Sequence, residues 1–190
     1  MGSSSILEFA TTAEIEIDAS CEEVWHKIHD VKRFPQTFRN VYMASVLGDP
    51  CKLGSRRKVT RLTKGHCFTA IWSLVRYDED SQPFPRTCQF YSEDFVGQDK
   101  AAASTTWTVS PLQKSNRCLV TISLAISPRN YFLVIGRLVF APFMKKLARK
   151  NVEDDLEDLA AACTINNNFA RSEKTDSTAI IIDDDIVSIH

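Results

Sequence analysis

The first regular pattern along the chain is an alternation of apolar and acidic residues from Ala13 to Ala19. Ile15 and Ile17 occupy one set of alternate positions, and Glu14 and Glu16 occupy the other. Because successive side chains of a strand point to opposite faces of its sheet, this pattern is typical of a strand with one buried face. We therefore expect the isoleucines to face a core and the glutamates to face solvent.

The residues that follow this strand predict two short helices. Ser20 stands three positions before Glu23, which is the spacing of a capping box, and apolar residues follow at helical spacing. The first helix should therefore begin at Cys21. Pro35 interrupts the helical pattern, so Asp30 to Phe38 is predicted to be a second short helix or a turn.

Between Asn40 and Pro128 the chain consists of short runs of strand-forming residues separated by turn residues. The connections have hairpin length, which favours an antiparallel meander over a parallel sheet. The alternation is sharpest in the last run, where Val120, Ile122 and Leu124 share one face. Six strands are predicted here: Val41–Gly48, Ser55–Thr63, Cys67–Asp78, Arg86–Phe95, Ala102–Pro111 and Arg117–Ser127.

From Asn130 to Cys163 the apolar residues recur at helical spacing, which predicts one long C-terminal helix. Its apolar stripe consists of Met144, Ala148, Val152, Leu156, Leu159 and Cys163. The opposite face is charged and is predicted to face solvent; it carries Lys145, Lys146, Arg149, Lys150, Glu153, Asp154, Asp155, Glu157 and Asp158.

The length and composition support one folded domain. The chain has 190 residues, of which 44% are hydrophobic and 25% are charged, and this is enough to bury one core but hardly two. After Thr164 the sequence becomes polar and poor in aromatic residues. We predict a flexible N-terminus over residues 1–7, an α+β domain over residues 8–164 and a disordered acidic tail over residues 165–190.

The charge balance and the cysteines bear on partners and compartment. The chain has 23 Lys and Arg against 24 Asp and Glu, so it lacks the positive field that a general nucleic-acid binder needs. Tyr131–Phe143, the longest apolar run, is shorter than the roughly 20 residues that span a bilayer. The six cysteines form no C-x-x-C pair, and the N-terminus has no secretory pattern. We expect a monomer in the cytoplasm or the nucleus, with the cysteines acting as small apolar fillers.

The order of a strand, two short helices, a six-stranded meander and a long helix resembles the SRPBCC superfamily, which includes START lipid-transfer domains and polyketide cyclase/dehydrase-like proteins. The resemblance covers about residues 8 to 163. Its local cues are Ile17 to Ser20 leading into Glu23 to Trp25, then Asp30 to Pro35, Gly54 to Arg57 and Asn151 to Leu159. It implies a helix-grip fold, in which a curved antiparallel sheet of about seven strands closes around a long C-terminal helix.

The resemblance also implies a cavity that holds a hydrophobic molecule or lipid between the sheet and the helix. Side chains can instead fill such an interior completely, and the sequence leaves both alternatives open. The side chains expected to point inward are Trp72, Leu74, Phe90, Trp107, Ile122, Leu124, Ile135, Val139 and Phe143. The leading hypothesis is a carrier or sensor of a small hydrophobic ligand, and the alternative is an enzyme of the cyclase or dehydratase type.

Polar residues give the enzyme alternative little support. His66, Tyr91 and Arg86 are the candidates for an acid, a base or an anion clamp, but no pair of them has a diagnostic spacing. The sequence contains no G-x-S-x-G motif, P-loop or dinucleotide fingerprint, so we assign no catalytic residue and expect no cofactor.

Two charged groups invite a metal or membrane interpretation. His26 and His29 follow Glu22 on the first helix, but no third ligand comes at a suitable spacing, so an exposed polar face is favoured over a metal site. A basic hairpin is predicted to be a solvated strand edge rather than a site for transient contact with anionic lipid head groups; its cations are Arg56, Arg57, Lys58, Arg61 and Lys64.

The tail carries one apolar motif, which consists of Ile180, Ile181, Ile182, Asp183, Asp184 and Asp185. A short hydrophobic strand flanked by acids resembles a SUMO-interacting motif, which adds to a sheet edge of its partner by main-chain hydrogen bonds. A SUMO-like protein is therefore a candidate partner, and the alternative is that the motif pairs with the domain or has no role.

Overall fold

The structure of the protein is a computed structural model, which describes residues 9–63, 65–80, 82–93, 101–112, 116–128 and 145–164. The described strands are β1 (Phe9–Ile17), β2 (Val41–Leu47), β3 (Arg56–Thr63), β4 (His66–Tyr77), β5 (Arg86–Ser92), β6 (Ala101–Pro111) and β7 (Cys118–Pro128). The described helices are α1 (Cys21–His29), α2 (Phe34–Thr37) and α3 (residues 145–164), with a 3-10 turn at Val31–Arg33 before α2.

The strands form one antiparallel sheet in the order β1-β7-β6-β5-β4-β3-β2. Strands β2 to β7 follow one another as hairpins, whereas β1 crosses to the far side and pairs with β7, so that Phe9 lies opposite Ile126. The predicted meander and its seven strands are confirmed, although β1 begins four residues before the predicted Ala13.

Helix α1 begins where the capping box predicts it. The Ser20 hydroxyl accepts a hydrogen bond from the backbone N–H of Glu23 at 3.2 Å, which satisfies one of the free donors at the helix start. Val24, Trp25 and Ile28 are buried at 0–3% exposure, so one face of α1 packs against the core.

The core lies between the inner face of the sheet and α3. On β7 the inner face carries Val120, Ile122, Leu124 and Ile126, all of which are buried. On α3 the predicted stripe is confirmed from Ala148 to Cys163, while Met144 lies outside the described residues. This arrangement is the helix-grip fold. None of the helices that the structure describes is long and apolar enough to cross a bilayer.

The acidic face of α3 is not simply solvated, contrary to the prediction. Asp155 receives two hydrogen bonds from the guanidinium of Arg61 at 2.7 and 2.8 Å. Asp158 accepts from the backbone N–H and the Nε of Arg39 at 2.8 and 2.7 Å. The two carboxylate side chains are only 14% and 12% exposed. They fasten α3 to β3 and to the loop before β2.

Candidate functional site

The inner face of the sheet and the helices line a partly open cavity of about 80 Å³, which we call the main cavity. Its wall is mostly aromatic and aliphatic and contains Ile28, Phe34, Phe38, Val59, Trp72, Phe90, Thr105 and Trp107, together with Arg57, Arg61 and Asp155. The volume exceeds what one water molecule needs but lies below the roughly 300 Å³ that is usual for a drug-sized ligand.

Arg57 places a charged group in this apolar wall. It is 4% exposed, and its Cζ lies 4.0 Å from the centre of the Phe90 ring and 5.8 Å from that of Phe34. Its Nη1 donates a hydrogen bond to the backbone carbonyl of Ile28 at 3.0 Å. Its Nε and Nη2 are buried and have no hydrogen-bond partner in the part of the chain that the structure describes.

The guanidinium remains a cation at neutral pH despite this burial. Burial lowers its pKa from 12.5 to about 10, which is still well above neutrality. No carboxylate among the described residues pairs with it. Among the described residues, Arg57 is thus a buried charge whose one polar contact is the carbonyl of Ile28.

Arg61 is the second cation of the wall, and its charge is satisfied. Its guanidinium forms the bidentate pair with Asp155 of α3, with a closest N–O distance of 2.7 Å. This pair bridges β3 and α3 across one side of the main cavity. It therefore holds two walls of the cavity together and leaves Arg57 as the unbalanced charge among the described lining residues.

A second pocket of about 380 Å³ lies on the other side of α1, lined by Glu22, Trp25, His26, His29, Cys51, Tyr77, Asp80 and Arg86. Its polar groups are bonded to one another. The Asp80 carboxylate accepts from the Tyr77 hydroxyl at 2.7 Å and from the Trp25 indole N–H at 2.8 Å. The hydrogen bond from Tyr77 is the main cause that lowers the pKa of Asp80.

His29 stands in the wall of the second pocket, close to Arg57. Its Nδ1 lies 2.8 Å from the carbonyl of Trp25, and because a carbonyl only accepts, Nδ1 carries the proton of the neutral ring. Its Nε2 is buried without a hydrogen-bond partner among the described residues. Burial first, and the charge of Arg57 second, lower the pKa of His29 from 6.5 to about 4. The ring is neutral at physiological pH.

The structure divides the side chains that the sequence predicts to face the ligand. Trp72, Phe90 and Trp107 line the main cavity. Leu74, Ile122 and Leu124 are buried in the core but are not part of the cavity wall. Ile135, Val139 and Phe143 lie outside the described residues, as do the tail residues Ile180, Ile181, Ile182, Asp183, Asp184 and Asp185.

Of the three candidate proton-transfer groups, the two whose side chains the structure describes, Arg86 and Tyr91, are not part of the wall of the main cavity. Arg86 is buried at the second pocket, where its Nε donates to the carbonyl of Gln82 at 2.7 Å and its guanidinium stacks on Phe84. Tyr91 is half-buried and alternates with Phe90 along β5, so it belongs to the opposite face of the sheet. The side chain of His66 lies outside the described residues.

Two interpretations of charged residues are wrong. The basic hairpin is not a strand edge, because β3 lies between β2 and β4, and Arg57 points into the core while Arg56 and Lys58 are exposed. Lys64 of the same group lies outside the described residues. On α1, His26 is exposed as predicted, but His29 is 7% exposed and belongs to the buried face.

Sequence reasoning considered His29 only for a metal site and Arg57 only for lipid contact, and it placed both on exposed faces, although a signal for burial existed for each. Arg57 stands two positions before the buried Val59, and alternate residues of a strand share a face. His29 follows Trp25 by four positions and so continues the apolar stripe of α1. In both cases the polar character of the residue led to a prediction of exposure, although its position in the strand or helix indicates burial.

The fold and the cavity define a class of protein, namely helix-grip proteins of the START and SRPBCC kind with a hydrophobic cavity under the C-terminal helix. Within this class, the family described as polyketide cyclase / dehydrase and lipid transport matches residues 8–164 of the chain. The chain belongs to this family, which confirms the predicted superfamily. No curated protein matches the sequence.

Solved structures share the fold at low sequence identity. A START superfamily protein from Mycobacterium smegmatis is 16% identical with a TM-score of 0.63, over 82% of this chain and 97% of that one. Norcoclaurine synthase from Thalictrum flavum, in complex with dopamine and hydroxybenzaldehyde, is 15% identical with a TM-score of 0.53, over 76% and 85%. The di-domain ARO/CYC BexL from the BE-7585A biosynthetic pathway is 17% identical with a TM-score of 0.61, over 80% and 45%.

Proposed function

We propose that the protein binds a small hydrophobic molecule in the main cavity and carries or senses it. The observation that supports this most is the meeting of five aromatic side chains in one wall, namely Phe34, Phe38, Trp72, Phe90 and Trp107. Ligand sites of this kind are mostly apolar with a few polar groups that fix orientation. Arg57 and Thr105 are such groups here.

The size of the cavity limits how much of a ligand can enter without a movement of the wall. At about 80 Å³ it admits one end of a molecule, and a longer ligand requires part of the wall to move. Helix α2 is the part best suited to move, because it has four residues, none of which is buried. Phe34 on α2 contacts Phe38 edge to face at 5.1 Å, so a shift of α2 widens the aromatic wall.

A cyclase or dehydratase activity has weaker support than binding. Such an enzyme needs a proton-transfer group within hydrogen-bond reach of its substrate. In the described wall of the main cavity the carboxylate is that of Asp155, which Arg61 already occupies with two hydrogen bonds. The Tyr77, Asp80 and His29 groups stand instead at the second pocket.

The proposal is tested by asking what the protein carries and what it takes up. Purified protein is extracted with organic solvent for mass spectrometry, and the delipidated protein is titrated with an uncharged apolar fluorophore such as N-phenyl-1-naphthylamine. We expect a co-purified hydrophobic molecule and saturable uptake. If the folded protein carries no bound molecule and takes up no fluorophore, the proposal is refuted.

A pair of variants locates the site. Thr105→Phe adds a ring to the wall of the main cavity, whereas Thr106→Phe adds the same ring to the opposite face of β6. We expect Thr105→Phe to weaken fluorophore uptake at least about tenfold, because an added ring competes for the cavity volume. Thr106→Phe should bind as the wild type does. Equal effects of both variants would place the binding elsewhere.

A further inference from the structure

We infer that the ligand of the main cavity carries a carboxylate, which pairs side-on with the Nε and Nη2 atoms of Arg57. This inference rests on the proposed function and names the chemical class of its ligand: a hydrophobic monocarboxylic acid rather than a neutral lipid. Four features of the site support it, namely the free donors, their geometry, the charge balance and the apolar surroundings.

The free donors of Arg57 are the two that a carboxylate uses. Nη1 is engaged by the carbonyl of Ile28 at 3.0 Å, whereas Nε and Nη2 have no partner in the part of the chain that the structure describes. The N–H groups of Nε and Nη2 lie along one edge of the planar guanidinium and point in nearly the same direction. Two parallel donors on one edge match the two oxygens of a carboxylate, which gives the bidentate pair that is common for arginine.

The energetics of a buried arginine point the same way. A buried charge and buried unpaired donors are both costly, and a well-packed apolar residue in the place of a buried ion is often neutral or stabilising. Arg57 is 4% exposed and has one carbonyl and the faces of two phenylalanine rings around it. A ligand carboxylate would both neutralise the charge and satisfy the two free donors.

The charge balance of the wall selects a monoanion. Arg61, the other cation of the wall, is neutralised by Asp155 through two hydrogen bonds. One unbalanced positive charge therefore remains among the described lining residues, and it matches a single carboxylate better than a phosphate dianion. Around this charge the wall is apolar, with Ile28, Val59 and Phe90 close to the site. The rest of the ligand is therefore hydrophobic.

The test compares acids with alcohols of the same shape by isothermal titration calorimetry of the delipidated full chain at neutral pH. Octanoate against 1-octanol represents an aliphatic source of the carboxylate, and 2-naphthoate against 2-naphthalenemethanol represents an aromatic one. We expect the acid of at least one pair to bind about ten to a hundred times more tightly than its alcohol, which is the gain expected from a charge-assisted bidentate hydrogen bond. The pair that shows the preference identifies the source.

Three variants assign the preference to Arg57. Arg57→Met keeps an unbranched stem without the charge and should reduce the acid-to-alcohol ratio to about one. Arg57→Lys keeps the charge without the planar fork and should leave an intermediate ratio. Lys58→Met is the matched control, since it removes one positive charge from the neighbouring, exposed position of β3 and should keep the wild-type ratio.

A measurement on the wild type alone makes the test independent of how the variants fold. At saturating ligand, the NMR signal of the Arg57 Nε–H group should move further downfield with the acid than with the alcohol, because a carboxylate accepts the stronger, charge-assisted hydrogen bond. If acid and alcohol bind equally, or if the preference persists in folded Arg57→Met, the inference fails while the proposed function stands. If neither member of either pair binds the wild type, the inference fails as well, and the extraction and fluorophore experiments then decide the proposed function.

Discussion

Acid should destabilise this protein through His29 in a pH range where carboxylates still keep their charge. The ring is 7% exposed, carries its proton on Nδ1 and presents a bare Nε2 to a buried environment beside Arg57. Protonation of Nε2 would place a second positive charge there. Of the other charged neighbours, His26 opposes the imidazolium and Asp80 favours it, but burial and Arg57 prevail.

The size of the effect follows from the shift of the pKa. The pKa of His29 is about 4 in the folded protein, against 6.5 for an unperturbed histidine. Because the folded-state pKa is the lower one, the unfolded chain binds the proton more readily between these values, and stability falls as the pH drops from 6.5 towards 4. The shift corresponds to a total of about 3 kcal/mol, of which about 2 kcal/mol is lost between about pH 7 and pH 5.

Urea unfolding curves at the two pH values, followed by tryptophan fluorescence, measure this loss directly. The comparison variant is His29→Asn, whose side-chain amide is able to keep the hydrogen bond to the Trp25 carbonyl but does not titrate. His29→Asn should be less stable than the wild type at neutral pH, because it leaves a small cavity, yet its stability should change by less than about 0.5 kcal/mol between the two values. A loss in the variant as large as in the wild type would refute the assignment to His29.

Two further predictions concern the ion pair on α3 and the cysteines. In chemical denaturation, Asp155→Asn should lower the free energy of unfolding by about 1–2 kcal/mol, because it leaves the half-buried Arg61 without its bidentate partner. The control Glu153→Gln breaks the exposed pair with Arg149 and should lower the free energy of unfolding by at most about 0.5 kcal/mol in the same experiment. In the native protein, the exposed thiol of Cys67 should react with a disulfide reagent faster than the buried cysteines, which should react only after unfolding; equal rates would contradict the packing of the core.

The fold could be predicted from the sequence because each element repeats apolar residues at a regular spacing over many positions. The alternation in β7 and the stripe on α3 each fix a buried face through several apolar positions, and no single position decides the result. The prediction that all six cysteines are apolar fillers was wrong for Cys67, because it depended on residue type and not on a repeated pattern. Cys67 is exposed although four other cysteines are buried, because residue type alone does not state which face of β4 a side chain occupies.

The candidate site was less accessible because it consists of exceptions to the rule that charged residues face solvent. Arg57 is the middle residue of a run of three cations, and such a run indicates a solvated hairpin. Because alternate residues of a strand share a face, the buried Val59 instead places Arg57 on the inner face. Asp155 and Arg61 are 94 positions apart, and nothing local in the sequence indicates that they meet. Long-range pairing of charges is visible only once the sheet and α3 are in place.

The pairing of the first strand with the last also sets the order in which the molecule can assemble. Strands β2 to β7 can associate as successive hairpins while the chain is being synthesised, since each partner follows the other closely. Strand β1 has to wait for β7, because Thr12 bonds to Ser123, 111 positions later. Helix α3 docks later still, because the contact of Asp158 with Arg39 joins residues 119 positions apart. During synthesis on the ribosome, the aromatic inner face of the sheet therefore stays open until β7 and α3 emerge, and we expect this nascent chain to depend on chaperones until that last step.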